Sequence, residues 1–254
     1  MLATIIPAAV VTFSITADAF PSRALQQPVY PGFNKIASMF VFGDSWSRTG
    51  FDASGEQPLA SNPLGNPAYR GRTSANGTNW VGYLTTTYNQ SLIRTYNFGT
   101  SGATLDSDLV ASNFDVLDEL NEAFIPLYAT NGTWESETTL FAIWISVNDI
   151  NRLYMGDYVT LDQAIFDNTA LVTGLETAPV RIPRCLNMTI DWNTRLEGLK
   201  SDIEVTYSDA TVFYLDTNTL FNDVIDDPTQ FDQTAVYKDT TSHCVAYNRQ
   251  VDSP

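Results

Sequence analysis

Short apolar runs separated by turn-forming residues predict the strands of a sheet. Four of these runs are Ile36–Phe42, Leu92–Phe98, Leu140–Ile145 and Val212–Leu215. The third run, LFAIWI, contains no polar position. An unbroken apolar run of this kind is typical of a strand that is covered on both faces.

Between these runs, apolar residues recur at the spacing of helical turns and predict helices that bury one face. The first helix is expected to begin after a cap at Thr78 or Asn79. The predicted inward faces comprise Trp80, Leu84 and Tyr88; Leu117, Leu120, Phe124 and Leu127; Leu161, Ile165, Val172 and Leu175, after a capping box at 160–163; Trp192, Leu196, Leu199 and Ile203; and Leu220, Phe221 and Val224. Strands that alternate with helices predict an α/β fold with a parallel sheet between helices.

The N-terminal residues predict export. Residues 1–19 are mostly apolar, contain no Lys or Arg, and end in Ala17-Asp18-Ala19, which has the small-x-small pattern of a cleavage site. The stretch is too short and too interrupted for a membrane span, and Pro7 argues against a buried helix. We therefore predict a signal peptide over 1–19, one domain over 20–254 and a secreted, extracellular protein. The sequons agree with glycosylation on that route, and they begin at Asn76, Asn89, Asn131 and Asn187.

Charge and composition limit the classes of binding partner that we expect for this chain. The 254 residues include 13 Lys and Arg against 29 Asp and Glu, which gives a formal charge of −16. Nucleic acids and anionic membranes attract basic surfaces, so we expect neither of them as a partner. A single His and two Cys, with no clustered ligands, argue against a zinc site. Cys185 and Cys244 either pair in an oxidising compartment or stay free.

Three of the predicted strands end in residues that suit acyl transfer. The ends read Gly-Asp-Ser at 43–45, Asn-Phe-Gly-Thr-Ser-Gly at 97–102 and Ser-Val-Asn-Asp at 146–149. Ser45 supplies a nucleophilic hydroxyl, Gly102 leaves a backbone N–H open to close approach, and Asn148 supplies an amide donor. Each residue alone has a plain structural explanation, as a turn, a bend and a strand-end cap. Ligands gather at the carboxyl ends of parallel strands, so together the three ends predict a site.

The segments around these ends resemble the GDSL or SGNH hydrolases, and most closely the fungal acetylesterases of carbohydrate esterase family sixteen. The similar segments are FVFGDSWSRTGFD, NPLGNPAYRGRTSANGTNWVGYLTTTYN, TYNFGTSGATLDSDLV and LFAIWISVNDI, and the similarity is patchier beyond residue 155. The resemblance implies a three-layer, flavodoxin-like fold whose parallel sheet has five strands. It also implies removal of acetyl groups from hemicellulose-derived sugars without metal or cofactor.

The same resemblance assigns roles to individual residues. Ser45 corresponds to the nucleophile, and Gly102 and Asn148 correspond to the donors that bind the oxyanion, together with the N–H of Ser45. The loop over 47–78 is expected to overhang Ser45. Aromatic faces or guanidinium groups for a sugar ring are expected at Trp46, Tyr69, Trp80, Arg70 and Arg72, although Trp80 also suits the core.

The sequence departs from the family pattern in three places. Ser146 stands where the third block usually begins with Gly. After Glu176 about one strand is absent, so the sheet is expected to have four strands. The final Asp-x-x-His block, which supplies the general base, is also absent: the single histidine, His243, has the wrong spacing from Asp239 and suits an exposed loop.

A serine without an adjacent base is a weak nucleophile, which leaves two functional hypotheses. The first is a secreted serine esterase for acetylated carbohydrate whose printed chain is cut short at the catalytic block. The second is an inactive carbohydrate-binding remnant of the same fold. A glycosidase with paired carboxylates is a poorer third, because no Asp/Glu pair is singled out by position.

Overall fold

The computed structural model describes residues 9–12, 30–75, 77–154, 178–207 and 210–240. Its strands are β1 (Ala9–Thr12), β2 (Ser38–Gly43), β3 (Arg94–Asn97), β4 (Thr139–Ile145) and β5 (Phe213–Asp216). Its α-helices are α1 (Trp80–Thr86), α2 (Val116–Asp118), α3 (Ile125–Tyr128), α4 (Val147–Tyr154), α5 (Ala178–Thr206) and α6 (Thr217–Asp226). A π-helical turn, Glu119–Phe124, joins α2 to α3. The four strands predicted from apolar runs are confirmed as β2, β3, β4 and β5.

The sheet has the strand order β3-β2-β4-β1-β5. Strands β3, β2 and β4 are mutually parallel, with Phe40 of β2 in register with Tyr96 and Phe141. Strand β1 is antiparallel to both β4 and β5, so β5 runs in the same direction as β4. The expected four-stranded parallel sheet is therefore wrong: a fifth strand from residues 9–12 lies between β4 and β5, and its antiparallel direction makes the sheet mixed.

The side chains of β2 belong to two separate hydrophobic cores, because successive side chains of a strand point to opposite faces of the sheet. Phe40 and Phe42 join an aromatic core on the side of α2 and α3. Met39 and Val41 join a second core on the side of α1. All six residues of β2 are buried, so helices flank both faces of the parallel strands.

Helix α1 begins as the sequence predicts. The side chain of Asn79 accepts a hydrogen bond from the N–H of Gly82 at 3.2 Å, which makes Asn79 the N-cap. Val81 is fully buried and Leu84 packs beside it. Tyr88 lies beyond the end of the helix and is 64% exposed, so its predicted inward position is wrong.

The predicted inward face of the next helix is also partly wrong. Leu117 and Leu127 are exposed by 41% and 46%. The buried positions are Val116, Glu119, Phe124 and Tyr128, so Phe124 is confirmed, and Leu120 packs against the same core. The π-helical turn inserts one extra residue between the second and third of these positions, which shifts every later side chain around the axis.

The later helices match their predicted faces in part. On α5, Trp192 packs against the aromatic core, whereas Leu199 is 48% exposed. On α6, Phe221 is half-buried and Leu220 is 39% exposed. The helix predicted to begin at 160–163 lies outside the described residues. Within the described ranges, no helix is both long enough and apolar enough to cross a bilayer.

Candidate active site

The three predicted strand ends meet at one edge of the sheet, because β3, β2 and β4 are adjacent and parallel. The N–H of Thr100 donates to the carbonyl of Gly43 at 2.9 Å, which joins the second end to the first. The amide nitrogen of Asn148 lies 2.8 Å from the carbonyl oxygen of Ala103 and 3.4 Å from Oδ2 of Asp44. The structure thus brings Asn148 into contact with the neighbours of both Gly102 and Ser45.

The turn that presents Ser45 requires glycine at its start. Gly43 has φ +142°, and a Cβ there would collide with the carbonyl oxygen of Trp144. The chain then reverses, and the carbonyl of Asp44 accepts hydrogen bonds at 3.0 Å from the N–H groups of Ser47 and Arg48. Among the described residues, neither the hydroxyl nor the N–H of half-buried Ser45 has a hydrogen-bond partner. Both groups are therefore available to a ligand.

Gly102 presents a second open donor. Its φ is +84°, a conformation that L side chains rarely adopt, although a Cβ there would meet open space. Its carbonyl accepts from Ser112 Oγ at 2.8 Å and from Arg152 Nη2 at 3.1 Å. Its N–H donates no hydrogen bond within the described part of the chain. The geometry therefore leaves the backbone donors of Ser45 and Gly102 unoccupied.

The carboxyl group of Asp44 holds the Ser45 turn from inside. Asp44 is completely buried, and its Oδ1 accepts from the N–H of Trp46 at 2.9 Å. Burial raises the pKa of Asp44 to about 7, the Trp46 N–H lowers it in part, and the nearby charge of Asp149 raises it further. A carboxyl group with this environment is neutral or nearly so at mildly acidic pH.

The third strand end carries a strained residue and a second buried acid. Ser146 has φ +109°, is fully buried, and its hydroxyl has no partner among the described residues. Asp149 accepts from the N–H of Leu105 at 2.9 Å through Oδ1. Burial raises the pKa of Asp149 to about 6, against the opposing effect of that hydrogen bond. Asn148 lies between these two residues and is half-buried.

Sequence reasoning missed Glu119. This residue is buried on the π-helical turn, and its carboxylate accepts from the N–H groups of Gly43 at 2.8 Å and Thr100 at 3.0 Å. Burial raises the pKa of Glu119 well above its ordinary value, although both N–H groups oppose that shift. The only hint in the sequence is an acidic residue one helical turn after Val116, and this hint carries no sign of its distant partners.

The loop after Ser45 is fixed by two asparagine side chains. The amide of Asn79 donates to the carbonyls of Ser47 at 2.8 Å and Arg48 at 3.0 Å. The amide of Asn97 donates to the carbonyl of Ser47 at 2.6 Å. These bonds tie the first turn of the loop to α1 and to the end of β3.

The residues predicted to meet a sugar are spread around this loop. The ring of Trp46 stacks on the ring of Trp144, with 5.9 Å between the ring centroids and 16° between the ring planes. Trp80 packs against the second core and donates to Ser47 Oγ at 3.3 Å, so the structure favours its structural role. Tyr69 is 50% exposed, and Arg70 and Arg72 are exposed as well. Their roles toward a ligand stay predictions.

Two predictions fall outside the described part of the chain. His243 and Cys244 lie beyond residue 240, and the side chain of Cys185 is not described. The described residues contain no group of three or more His, Cys, Asp or Glu that could hold a metal ion.

Comparison with known proteins decides the chemical class. No protein-family model matches the chain. An acetylesterase from Thermothelomyces thermophilus is 32% identical to it over an alignment of 251 positions, and the aligned region covers 83% of this chain and 81% of the relative. The chain belongs to the family of this acetylesterase. It is therefore a carboxylic ester hydrolase, as the strand ends predict.

Proposed function

We propose that the chain is a secreted serine esterase of the SGNH type that removes acetyl groups from hemicellulose-derived sugars or oligosaccharides. The observation that carries this proposal is the edge of the sheet where the Ser45 hydroxyl lies with two unoccupied N–H donors, those of Ser45 and Gly102. The parallel strands support the finer fold assignment, because their order β3-β2-β4 matches the 2-1-3 start of a flavodoxin-like sheet; antiparallel β1 stands where that sheet has its fourth parallel strand.

In the proposed reaction, Ser45 Oγ attacks the acetyl carbonyl, the sugar oxygen leaves with a proton, and water hydrolyses the acetyl-serine. The N–H groups of Ser45 and Gly102 bind the oxyanion of each tetrahedral intermediate. Asn148 supplies the third donor by giving up its long, 3.4 Å bond to Asp44, while its 2.8 Å bond to Ala103 keeps the amide in place. Each such donor contributes about 2.7–4 kcal/mol in a serine hydrolase.

The reaction also needs a base for the proton of Ser45. No described residue forms a hydrogen bond with that hydroxyl, and the single histidine of the chain is His243. This observation favours a second candidate function, an inactive carbohydrate-binding protein that keeps the cleft. Removal of the triad histidine in subtilisin costs about a millionfold in rate, so the two functions differ by a large factor.

One experiment separates them. The chain is assayed on p-nitrophenyl acetate and on acetylated xylo-oligosaccharides, beside Ser45→Ala and the matched variant Ser61→Ala, which alters an exposed turn. Release of acetate by the parent chain and by Ser61→Ala, but not by Ser45→Ala, supports the esterase. Binding of the oligosaccharide by all three proteins without acetate release supports the binding protein. Full activity of Ser45→Ala rejects Ser45 as nucleophile.

A further inference from the structure

Glu119 connects two of the strand ends that form the site. Its Oε2 accepts from the N–H of Gly43, which lies just before Asp44 and Ser45, at 2.8 Å. Its Oε1 accepts from the N–H of Thr100, which lies just before Ser101 and Gly102, at 3.0 Å. One carboxylate therefore holds the turn of the predicted nucleophile and the turn of the predicted oxyanion glycine.

The surroundings make this contact specific. Glu119 is 6% exposed, and the carboxyl groups of Asp44 and Asp115 lie close enough to disfavour its charge. A buried carboxylate is costly unless hydrogen bonds compensate, and here two backbone donors do so. The π-helical turn that begins at Glu119 keeps the side chain inward between Val116 and Phe124. Turns of this type are frequent at functional sites.

Glu119 bonds both turns at once through their backbone N–H groups, whereas Asn148 reaches them from the third strand end. Thr100 and Gly43 already share one backbone bond of 2.9 Å, and the carboxylate adds a bond to each N–H. Loss of the carboxylate leaves the Gly43 N–H without that partner in a buried position. Small displacements between nucleophile and oxyanion donors have large effects on rate, because a shift of about 1 Å can cost about a hundredfold.

We propose that Glu119 is a positioning residue of the ester hydrolysis site: its carboxylate sets the distance between the Ser45 turn and the Gly102 turn. The catalytic part of this proposal rests on the proposed function. The geometric part concerns only the two N–H groups and is tested without substrate.

The first test is amide hydrogen exchange measured by NMR on the full chain. In Glu119→Ala, exchange of the Gly43 amide is expected to accelerate about 10- to 100-fold, the range for a lost hydrogen bond to a charged group. The Thr100 amide accelerates less, because its N–H keeps the bond to the Gly43 carbonyl. In Glu119→Gln only one of the two side-chain bonds is lost, because the new side chain has one acceptor oxygen and one NH2 group. Glu122→Ala, on the exposed side of the same turn, leaves both amides protected. Unchanged exchange in both Glu119 variants overturns the proposal, and the Gln variant decides the case if the Ala variant does not fold.

The second test is steady-state hydrolysis of p-nitrophenyl acetate. Glu119→Ala is expected to lower kcat about tenfold or more with KM nearly unchanged, and Glu119→Gln to recover part of the loss. Normal kcat in folded Glu119→Ala overturns the positioning role. If the parent chain hydrolyses no ester, the proposed function fails and the catalytic part fails with it, whereas amide exchange still decides whether Glu119 fixes the two turns.

Discussion

At the scale of single residues, Ser146 is the described non-glycine residue whose backbone has a positive φ. Its φ of +109° suits glycine, its side chain is fully buried, and its hydroxyl has no partner in the described structure. A non-glycine residue in such a region costs on the order of 1–3 kcal/mol. Glycine would relieve this strain. It would also raise the conformational entropy of the unfolded chain, which offsets about 0.5–1 kcal/mol of the gain in stability.

We therefore expect Ser146→Gly to raise the free energy of unfolding by about 0.5–2 kcal/mol. Urea denaturation at neutral pH measures the change. Ser61→Gly, in an exposed turn without a positive φ, is the control and should gain nothing. Equal or lower stability of Ser146→Gly would mean that the backbone at this position carries no strain.

The candidate site shows what a sequence can and cannot predict at this scale. Ser45, Gly102 and Asn148 follow strands that apolar runs predict, so their shared edge follows from the parallel order. The bond between Gly43 and Glu119 joins positions 76 residues apart, and no local pattern encodes it. Contacts of this kind depend on how a helix packs against the strand ends, which only the folded chain defines.

At the scale of elements, strands were predictable and helix faces were less so. Unbroken runs such as Leu140–Ile145 bury residues on both faces of the sheet, so composition alone marks them. A helical face depends on a constant period, and the π-helical turn breaks that period after Glu119. This explains why Leu127, which follows the turn, is exposed although its spacing suits a regular helix.

Strand β1 is the described strand that the sequence did not predict. It lies inside residues 1–19, the predicted signal peptide, and it supplies the strand that pairs with β5 in the described sheet. A chain from which 1–19 is removed cannot keep this pairing. Pairing by β1 and cleavage after Ala19 therefore exclude each other in one and the same molecule.

We expect proline at Val11 to destabilise the full chain by about 1–3 kcal/mol. Val11 is paired with Ile143 on one side and Tyr214 on the other, and proline cannot donate the backbone N–H that an interior strand uses. Urea denaturation of Val11→Pro measures the effect, and Ala3→Pro, outside β1, is the control. A chain that begins at Phe20 should be destabilised at least as much. Unchanged stability of both would show that β1 adds nothing to the sheet.

At the scale of the whole molecule, the site concentrates buried acid in a protein that is already strongly acidic. The chain has a formal charge of −16. Burial raises the pKa of Asp44 to about 7 and of Asp149 to about 6, and it raises that of Glu119 as well. Each of these carboxyl groups accepts backbone N–H hydrogen bonds that fix a loop. Once the group is ionised, its buried charge destabilises the folded state.

The sign of the pH dependence follows from these shifts. In the unfolded chain the carboxyl groups titrate near pH 4, whereas Asp149 titrates at about 6 and Asp44 at about 7 in the folded chain. Between pH 4 and 7 the folded state thus binds more protons than the unfolded state. The free energy of unfolding should fall as pH rises through this window and level off above it.

Asp149→Asn tests this dependence at one residue. The amide can keep the bond from the Leu105 N–H, but it cannot titrate, so the decline in stability between pH 4 and 6 should shrink by on the order of 1–3 kcal/mol. Urea denaturation at about pH 4.5, 5.5, 6.5 and 7.5 gives the slope of the free energy of unfolding against pH. Asp108→Asn, on the surface, should keep the slope of the parent chain. If Asp149→Asn keeps it too, the buried acids of the site do not govern the acid preference of the fold, and the net negative charge must account for it instead.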